Sequence, residues 1–203
     1  MGLEIYILDL IGTFTFALYG AYVGMRRGFD IFGIFTTAFL TALGGGTIRE
    51  MILGHIPAYF VDMRYIVAVG LGFGLSILVY PIFSKINKYA LVVDGIGLVA
   101  FAFIGAESAS HAGLGAFGII LLATLTAVGG GLLRDIAIAE TPQIFYRDFY
   151  ASPAIFLVIM YAIFAKSMSS VTVWFILLSA FALRLLAIYF KINLWGPWRK
   201  SNS

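Results

Sequence analysis

The sequence predicts an all-α integral membrane protein of seven transmembrane helices, arranged as two inverted three-helix repeats plus a seventh helix. Three observations carry this expectation. The 203 residues are 62% hydrophobic and only 11% charged, with a mean hydropathy of +1.01. Apolar runs of spanning length recur between short polar stretches. The two halves of the chain also share identities at one fixed spacing.

Soluble domains are about half apolar and a quarter charged. A chain this apolar cannot cover itself with polar groups in water, so the bilayer is its natural solvent. At about 20 residues per span plus connections, the spans use the whole length. The expected organisation is a single transmembrane domain over 1–203, with repeat one at 3–85, repeat two at 88–168 and the seventh helix at 171–191. The expected location is the cell membrane, crossed many times.

The apolar segments run over about 3–24, 31–53, 63–83, 90–110, 114–138, 151–167 and 171–190. Their length and their lack of period-2 alternation argue for helices over barrel strands. The first could be mistaken for a signal peptide, but Glu4 and Asp9 replace the positive n-region and no small-residue cleavage site follows. It is kept as a helix. Between the later spans lie Arg26-Arg27-Gly28, Pro57-Ala58-Tyr59, Lys85-Ile86-Asn87-Lys88 and Glu140-Thr141-Pro142.

With the N-terminus outside, Arg26, Arg27, Lys85, Lys88, Arg147, Lys191, Arg199 and Lys200 fall inside. Only Arg64 and Lys166 then fall outside, with Arg49, Arg134 and Arg184 set aside as lying within or at the ends of spans. The positive-inside rule therefore sets the N-terminus outside and the C-terminus in the cytoplasm. Trp195 and Trp198, beside Arg199-Lys200, suit an interfacial anchor.

The repeat is the strongest signal. Residues 9–21 read DLIGTFTFALYGA and 94–106 read DGIGLVAFAFIGA; 40–50 read LTALGGGTIRE and 125–135 read LTAVGGGLLRD. Asp9 and Asp94, Gly44 and Gly129, Arg49 and Arg134, and Pro57 and Pro142 are all separated by one and the same offset. Helical packing alone does not hold one register across so many identities, so the pattern is read as a duplication. A unit of three spans is odd, so its second copy crosses the membrane upside-down. Inverted repeats with glycine-interrupted spans point to a solute or ion path near the midplane.

Gly44-Gly45-Gly46 and Gly129-Gly130-Gly131 lie inside the second and fifth spans. Glycine in a helix interior costs roughly 1 kcal/mol relative to alanine, and three together free the backbone to kink or unwind. The other reading is close helix packing. That reading is preferred for Gly20, Gly24, Gly70, Gly72 and Gly74. For the triple glycines, symmetric recurrence and the charges that follow favour a kinked solute path.

Those charges are Arg49-Glu50 and Arg134-Asp135. An intramembrane arginine is expensive and normally faces a partner or a wet cavity. Asp9 and Asp94 are the candidate partners. A structural ion pair and a charge-lined aqueous path are both open, and both can hold. Glu107 suits either an acidic vestibule or a snorkelling side chain. His55 and His111 read as interfacial hydrogen-bonding residues.

Zero cysteines exclude disulfides and thiol chemistry, and two distant histidines do not make a metal site. A net charge of +3 reports loop orientation here, with no nucleic-acid partner implied. His-Glu-x-x-His, Gly-x-Ser-x-Gly and Gly-x-x-x-x-Gly-Lys patterns are all missing. No enzyme activity and no cofactor are expected.

With the duplicated Gly-Gly-Gly-x-x-Arg-Glu/Asp motif, seven spans and an outside N-terminus, the chain resembles the prokaryotic members of the TRIC family, the trimeric intracellular cation channels. The likeness covers roughly residues 5–165, and the seventh helix fits as well. It implies a homotrimer among membrane lipids, one pore per protomer, and permeating potassium or sodium ions. By that likeness the second and fifth helices are kinked, and Gly44–Gly46, Gly129–Gly131, Arg49 and Arg134 border the pore. Animal members carry a lysine in the first glycine motif and bind a phosphoinositide. This chain has Thr47 and Ile48 before Arg49 and no lysine nearby, so the likeness does not extend to phosphoinositide binding. Two rival functions fit the same residues: a secondary transporter of a small zwitterion such as glycine, and a membrane assembly protein whose glycines only pack.

Overall fold

The structure is a computed structural model that describes residues 2–145, 151–164 and 168–190. Apolar composition without strand periodicity leaves the backbone one way to satisfy itself in lipid, which is helix. Seven helices form among the described residues: α1 (Leu3–Arg26), α2 (Ile31–Leu53), α3 (Met63–Lys85), α4 (Asn87–His111), α5 (Ala116–Ala137), α6 (Ser152–Phe164) and α7 (Ser170–Phe190). All but α6 are long and apolar enough to cross a membrane; α6 is shorter over its described residues. The tryptophan anchor at Trp195 and Trp198, and Arg147, Lys166, Lys191, Arg199 and Lys200, lie outside the described residues.

The same local devices recur at matching positions of the two copies. A short 3-10 turn follows α2 at Ala58–Phe60 and another follows α5 at Gln143–Phe145. Both helices end on a left-handed residue, Gly54 at φ 73° and Ala139 at φ 55°. That conformation is free for glycine and costs an alanine roughly 1–2 kcal/mol. The next amide then reaches back to close the helix: His55 N–H to the Glu50 carbonyl, and Glu140 N–H to the Asp135 carbonyl, each at 2.8 Å.

Packing follows the duplication. Helix α1 packs on α2 and α3, α4 packs on α5 and α6, and the copies meet through α1–α4 and α2–α5. The central helices α1 and α4 are enclosed. Leu71 and Leu78 of α3 and Phe175 and Leu178 of α7 stay exposed, as a lipid-facing surface requires. Outside the helices, Asp62 accepts hydrogen bonds from Arg64 Nε (2.9 Å) and Tyr6 Oη (2.7 Å). These, with the Arg64 backbone amide, hold its carboxyl well below the usual carboxylate range and fasten α1 to the start of α3.

The triple glycines do not break their helices. Both α2 and α5 run as continuous α-helix through Gly44–Gly46 and Gly129–Gly131, so of the kinking or unwinding expected there, the unwinding does not occur. The reason is contact. A Cβ on Gly45 would overlap the Thr126 carbonyl oxygen, and one on Gly130 would overlap the Thr41 carbonyl oxygen. Gly45 and Gly130 occupy matching positions of the repeat, as do Thr41 and Thr126, so this is one contact seen from either copy, centred on the α2–α5 crossing. Close backbone approach in lipid is what small residues permit. Packing also accounts for Gly20, Gly24 and Gly72, whose added Cβ would overlap Thr41, Thr37 and the Phe14 carbonyl, whereas Gly70 and Gly74 have open space around them.

Helix α7 lies outside the duplication and packs on α4 and α6. Its one arginine, Arg184, is buried and donates from Nη2 to Asp94 Oδ2 at 3.3 Å.

Two stability outcomes follow, both readable by thermal unfolding in detergent. Gly45→Ala and Gly130→Ala each lose about 1–3 kcal/mol through overpacking against backbone, while Gly46→Ala, with open space at its Cβ, is neutral or stabilising. In a double-mutant cycle, Asp94→Asn and Arg184→Met couple by about 0.5–3 kcal/mol; additivity would show that Asp94 does not hold α7.

Candidate functional site

Arg49 lies four residues beyond Gly45, and Arg134 four beyond Gly130, so each sits one turn from the crossing on the same helix face. Because the copies are inverted, these turns lead in opposite directions. Both arginines are buried, at 5% and 0% exposure. A buried guanidinium must be paired, and each copy solves that with different neighbours.

In the first copy, Arg49 Nε donates to Glu50 Oε1 at 2.7 Å, and Nη2 lies 3.7 Å from Asp9 Oδ2. Tyr65 Oη of α3 donates to the same Asp9 oxygen at 3.0 Å. Asp9 is 3% exposed. Arg49 Nη1 is buried with no hydrogen-bond partner. Beside it is a cavity of about 20 Å³ bordered by Asp9, Thr13, Gly46, Arg49, Tyr59 and Tyr65. That space takes about one water, which would satisfy the orphaned donor.

In the second copy, Arg134 grips Asp135 Oδ1 through Nε (2.9 Å) and Nη2 (2.7 Å). The other Asp135 oxygen accepts from the Gln143 backbone amide at 2.9 Å. The guanidinium lies over the Tyr19 ring, 5.2 Å from its centroid, and Gln143 Nε2 donates to Tyr19 Oη at 3.2 Å. The space around Arg134, Asp135, Gly131 and Gln143 is closed to water.

Two larger vestibules lead toward these pairs. The first, about 630 Å³, is lined by residues that include Gly2, Glu50, His55, Glu107, His111 and Ala112. The second, about 270 Å³, is lined by Tyr19, Tyr22, Arg26, Arg27, Asn87, Glu140 and Gln143. They are counterparts: Gly2 and Asn87, His55 and Glu140, Glu107 and Tyr22, and His111 and Arg26 stand at matching positions of the repeat. The start of α1 and the end of α4 share the first vestibule, and the end of α1 and the start of α4 share the second. The copies therefore run in opposite senses. Glu50 lines both the first vestibule and the Arg49 cavity, and Gln143 lines both the second vestibule and the space at Arg134.

The structure thus gathers Asp9, Gly46, Arg49 and Glu50 at one end of the crossing, and Gly131, Arg134 and Asp135 at the other. Gly44, Gly45, Gly129 and Gly130 form the crossing between them. Asp94 takes a partner from outside its repeat, Arg184. Sequence reasoning set Arg184 aside, although an arginine inside an apolar span was itself a signal. It also missed Tyr19, Tyr65 and Gln143, whose roles appear only when distant segments meet. His55 Nδ1 sits 3.2 Å from Glu50 Oε2, and His111 Nε2 2.9 Å from Glu107 Oε1, in line with the reading of both as hydrogen-bonding residues.

A protein-family model described as "Glycine transporter" matches the chain twice, over residues 6–81 and 91–166, in the register of the duplication. A UPF0126 membrane protein of Deinococcus radiodurans is 37% identical over 150 residues, covering 72% of this chain and 70% of that protein. The UPF0126 inner membrane protein YadS of Escherichia coli is 35% identical over 153 residues, covering 74% of each. A solved structure described as the basis for conductance through TRIC cation channels matches with a TM-score of 0.87 at 32% identity, over 99% of this chain and 100% of the other. The TRIC orthologue of Rhodobacter sphaeroides matches with a TM-score of 0.81 at 28% identity, over 94% and 100%. These neighbours are ion channels and not enzymes. With its duplicated motif, its seven-helix fold and this likeness along nearly its whole length, the chain is a multi-pass membrane protein that belongs to the prokaryotic TRIC family.

Proposed function

We propose that the protein is a cation channel, assembled as a homotrimer with one pore in each protomer, passing potassium and, with little discrimination, sodium. The single observation that carries this reading is the pair of vestibules at opposite ends of the fold, each ending on a buried arginine–carboxylate cluster across the α2–α5 crossing. Asp9, Glu50 and Asp135 attract cations. Arg49 and Arg134 occupy the path as tethered cations while it is shut. Opening separates α2 from α5 at Gly44–Gly46 and Gly129–Gly131 and swings the arginines aside. A wide, partly hydrated path with few fixed charges selects charge sign better than ion size. In this reading the N-terminus and the first vestibule face outward and the C-terminus faces the cytoplasm.

A zwitterion transporter is the second reading, favoured by the description of the family model and by the inverted repeat. Reconstitution separates the two. In planar bilayers the channel reading gives stepwise unitary currents whose reversal potential follows the potassium gradient. Removing one closed-state pairing worth about 1.4 kcal/mol shifts a two-state equilibrium about tenfold, so Arg49→Gln raises open probability by about that factor. Saturable glycine uptake into proteoliposomes without unitary currents would replace this reading with the transporter.

A further inference from the structure

We infer that the two mouths of the proposed path differ in charge strongly enough to rectify cation current, with Glu107 and Arg26 setting its direction. This rests on the channel reading above. The inverted duplication makes the mouths equivalent in backbone, so any difference between them lies in the side chains at matching positions.

Those side chains differ in sign. The described residues lining the first vestibule include two carboxylates, Glu50 and Glu107, and no lysine or arginine. At the positions matching Glu107, His111 and Ala112, the second vestibule has Tyr22, Arg26 and Arg27, and at the position matching His55 it has Glu140. Arg27 and Glu140 pair with each other, which leaves Arg26, over the Tyr22 ring at 6.0 Å, as the uncompensated charge of that mouth.

Glu107 is built as a fixed charge. Its Oε2 accepts a hydrogen bond from Tyr161 Oη of α6 at 2.6 Å, and its Oε1 lies 2.9 Å from His111 Nε2. The side chain is 21% exposed, so the carboxylate faces the water of the vestibule while α6 holds it in place. A snorkelling glutamate would swing freely; this one is tied. Each carboxylate has a histidine neighbour, but Glu50 is also paired with Arg49, so Glu107 carries the larger share of the field at this mouth.

Fixed charge at a mouth raises or lowers the local concentration of permeating ions before they enter. Cations entering past Glu107 are concentrated, and those entering past Arg26 are depleted. Current from the first vestibule to the second therefore exceeds the reverse. The effect fades with salt, because the Debye length falls from about 30 Å at 0.01 M to about 3 Å at 1 M.

Single-channel current–voltage curves in symmetric KCl at about 0.02 M and about 1 M test this. Wild-type protein shows unequal limbs at low salt that converge at high salt. Glu107→Gln, which keeps an acceptor for Tyr161, shrinks the larger limb about twofold at low salt and changes nothing at high salt. Arg26→Gln enlarges the smaller limb instead. Ala112→Asp, at an exposed position of the first vestibule, enlarges the larger limb and tests the claim without disturbing Glu107. The two variants act on opposite limbs, so random insertion of channels in the bilayer does not blur the result. Equal limbs at low salt overturn the inference, as does an effect of Glu107→Gln that persists at about 1 M. Absence of unitary currents from wild-type protein would instead overturn the channel reading.

Discussion

The fold depends on a place where two backbones touch. At the α2–α5 crossing, Gly45 lies against the Thr126 carbonyl and Gly130 against the Thr41 carbonyl, a single contact repeated about the pseudo-two-fold. No residue larger than glycine fits at either point. The threonines that supply the carbonyls satisfy their own hydroxyls within their helices, Thr41 on the Thr37 carbonyl at 2.6 Å and Thr126 on the Leu122 carbonyl at 2.7 Å, so the crossing needs no water. The helix-propensity cost of the glycines is offset by an approach that lipid-exposed helices reach only with small residues. The same crossing fixes where the arginines go, one turn away on either side.

The buried charges are arranged around that crossing. Moving an ion out of water costs several kcal/mol, and pairing recovers it only with good geometry. Arg134 meets this with two bonds to one Asp135 oxygen and a tyrosine face, in a space without room for water. Arg49 shares two carboxylates and keeps a water-sized cavity beside it. The duplicated sequence thus folds into two unlike half-sites, one sealed and one poised. Under the proposed channel function, the Arg49 end is the less costly to open.

Much of this was legible in the sequence. Apolar length placed the seven helices, and the identities at one constant offset revealed the duplication and its inversion, because three spans per unit is odd. The pairing of Arg49 with Asp9 could be guessed from charge economy alone. What the glycines do could not. Helix propensity argues for a break, and only the neighbouring helix shows that the freed volume is filled by another backbone. The role of Arg184 was hidden for a related reason: α7 has no partner in the repeat, so symmetry gave no hint that it reaches Asp94. The Gln143–Tyr19 contact joins residues 124 positions apart, beyond any local pattern.

The central claim is that the α2–α5 contact is itself the closure of the proposed path. The chain has no native cysteine, so a cross-link can be placed without interference. A Cβ on Gly44 would lie 3.7 Å from the Leu133 Cβ, within the range of about 3.5–4.5 Å that a disulfide needs. Current through the Gly44→Cys/Leu133→Cys variant, recorded before and after reduction, is the direct measurement. The oxidised protein is expected to be cross-linked and silent, and reducing agent to restore conduction. A fully cross-linked protein that conducts like its reduced form would contradict the claim.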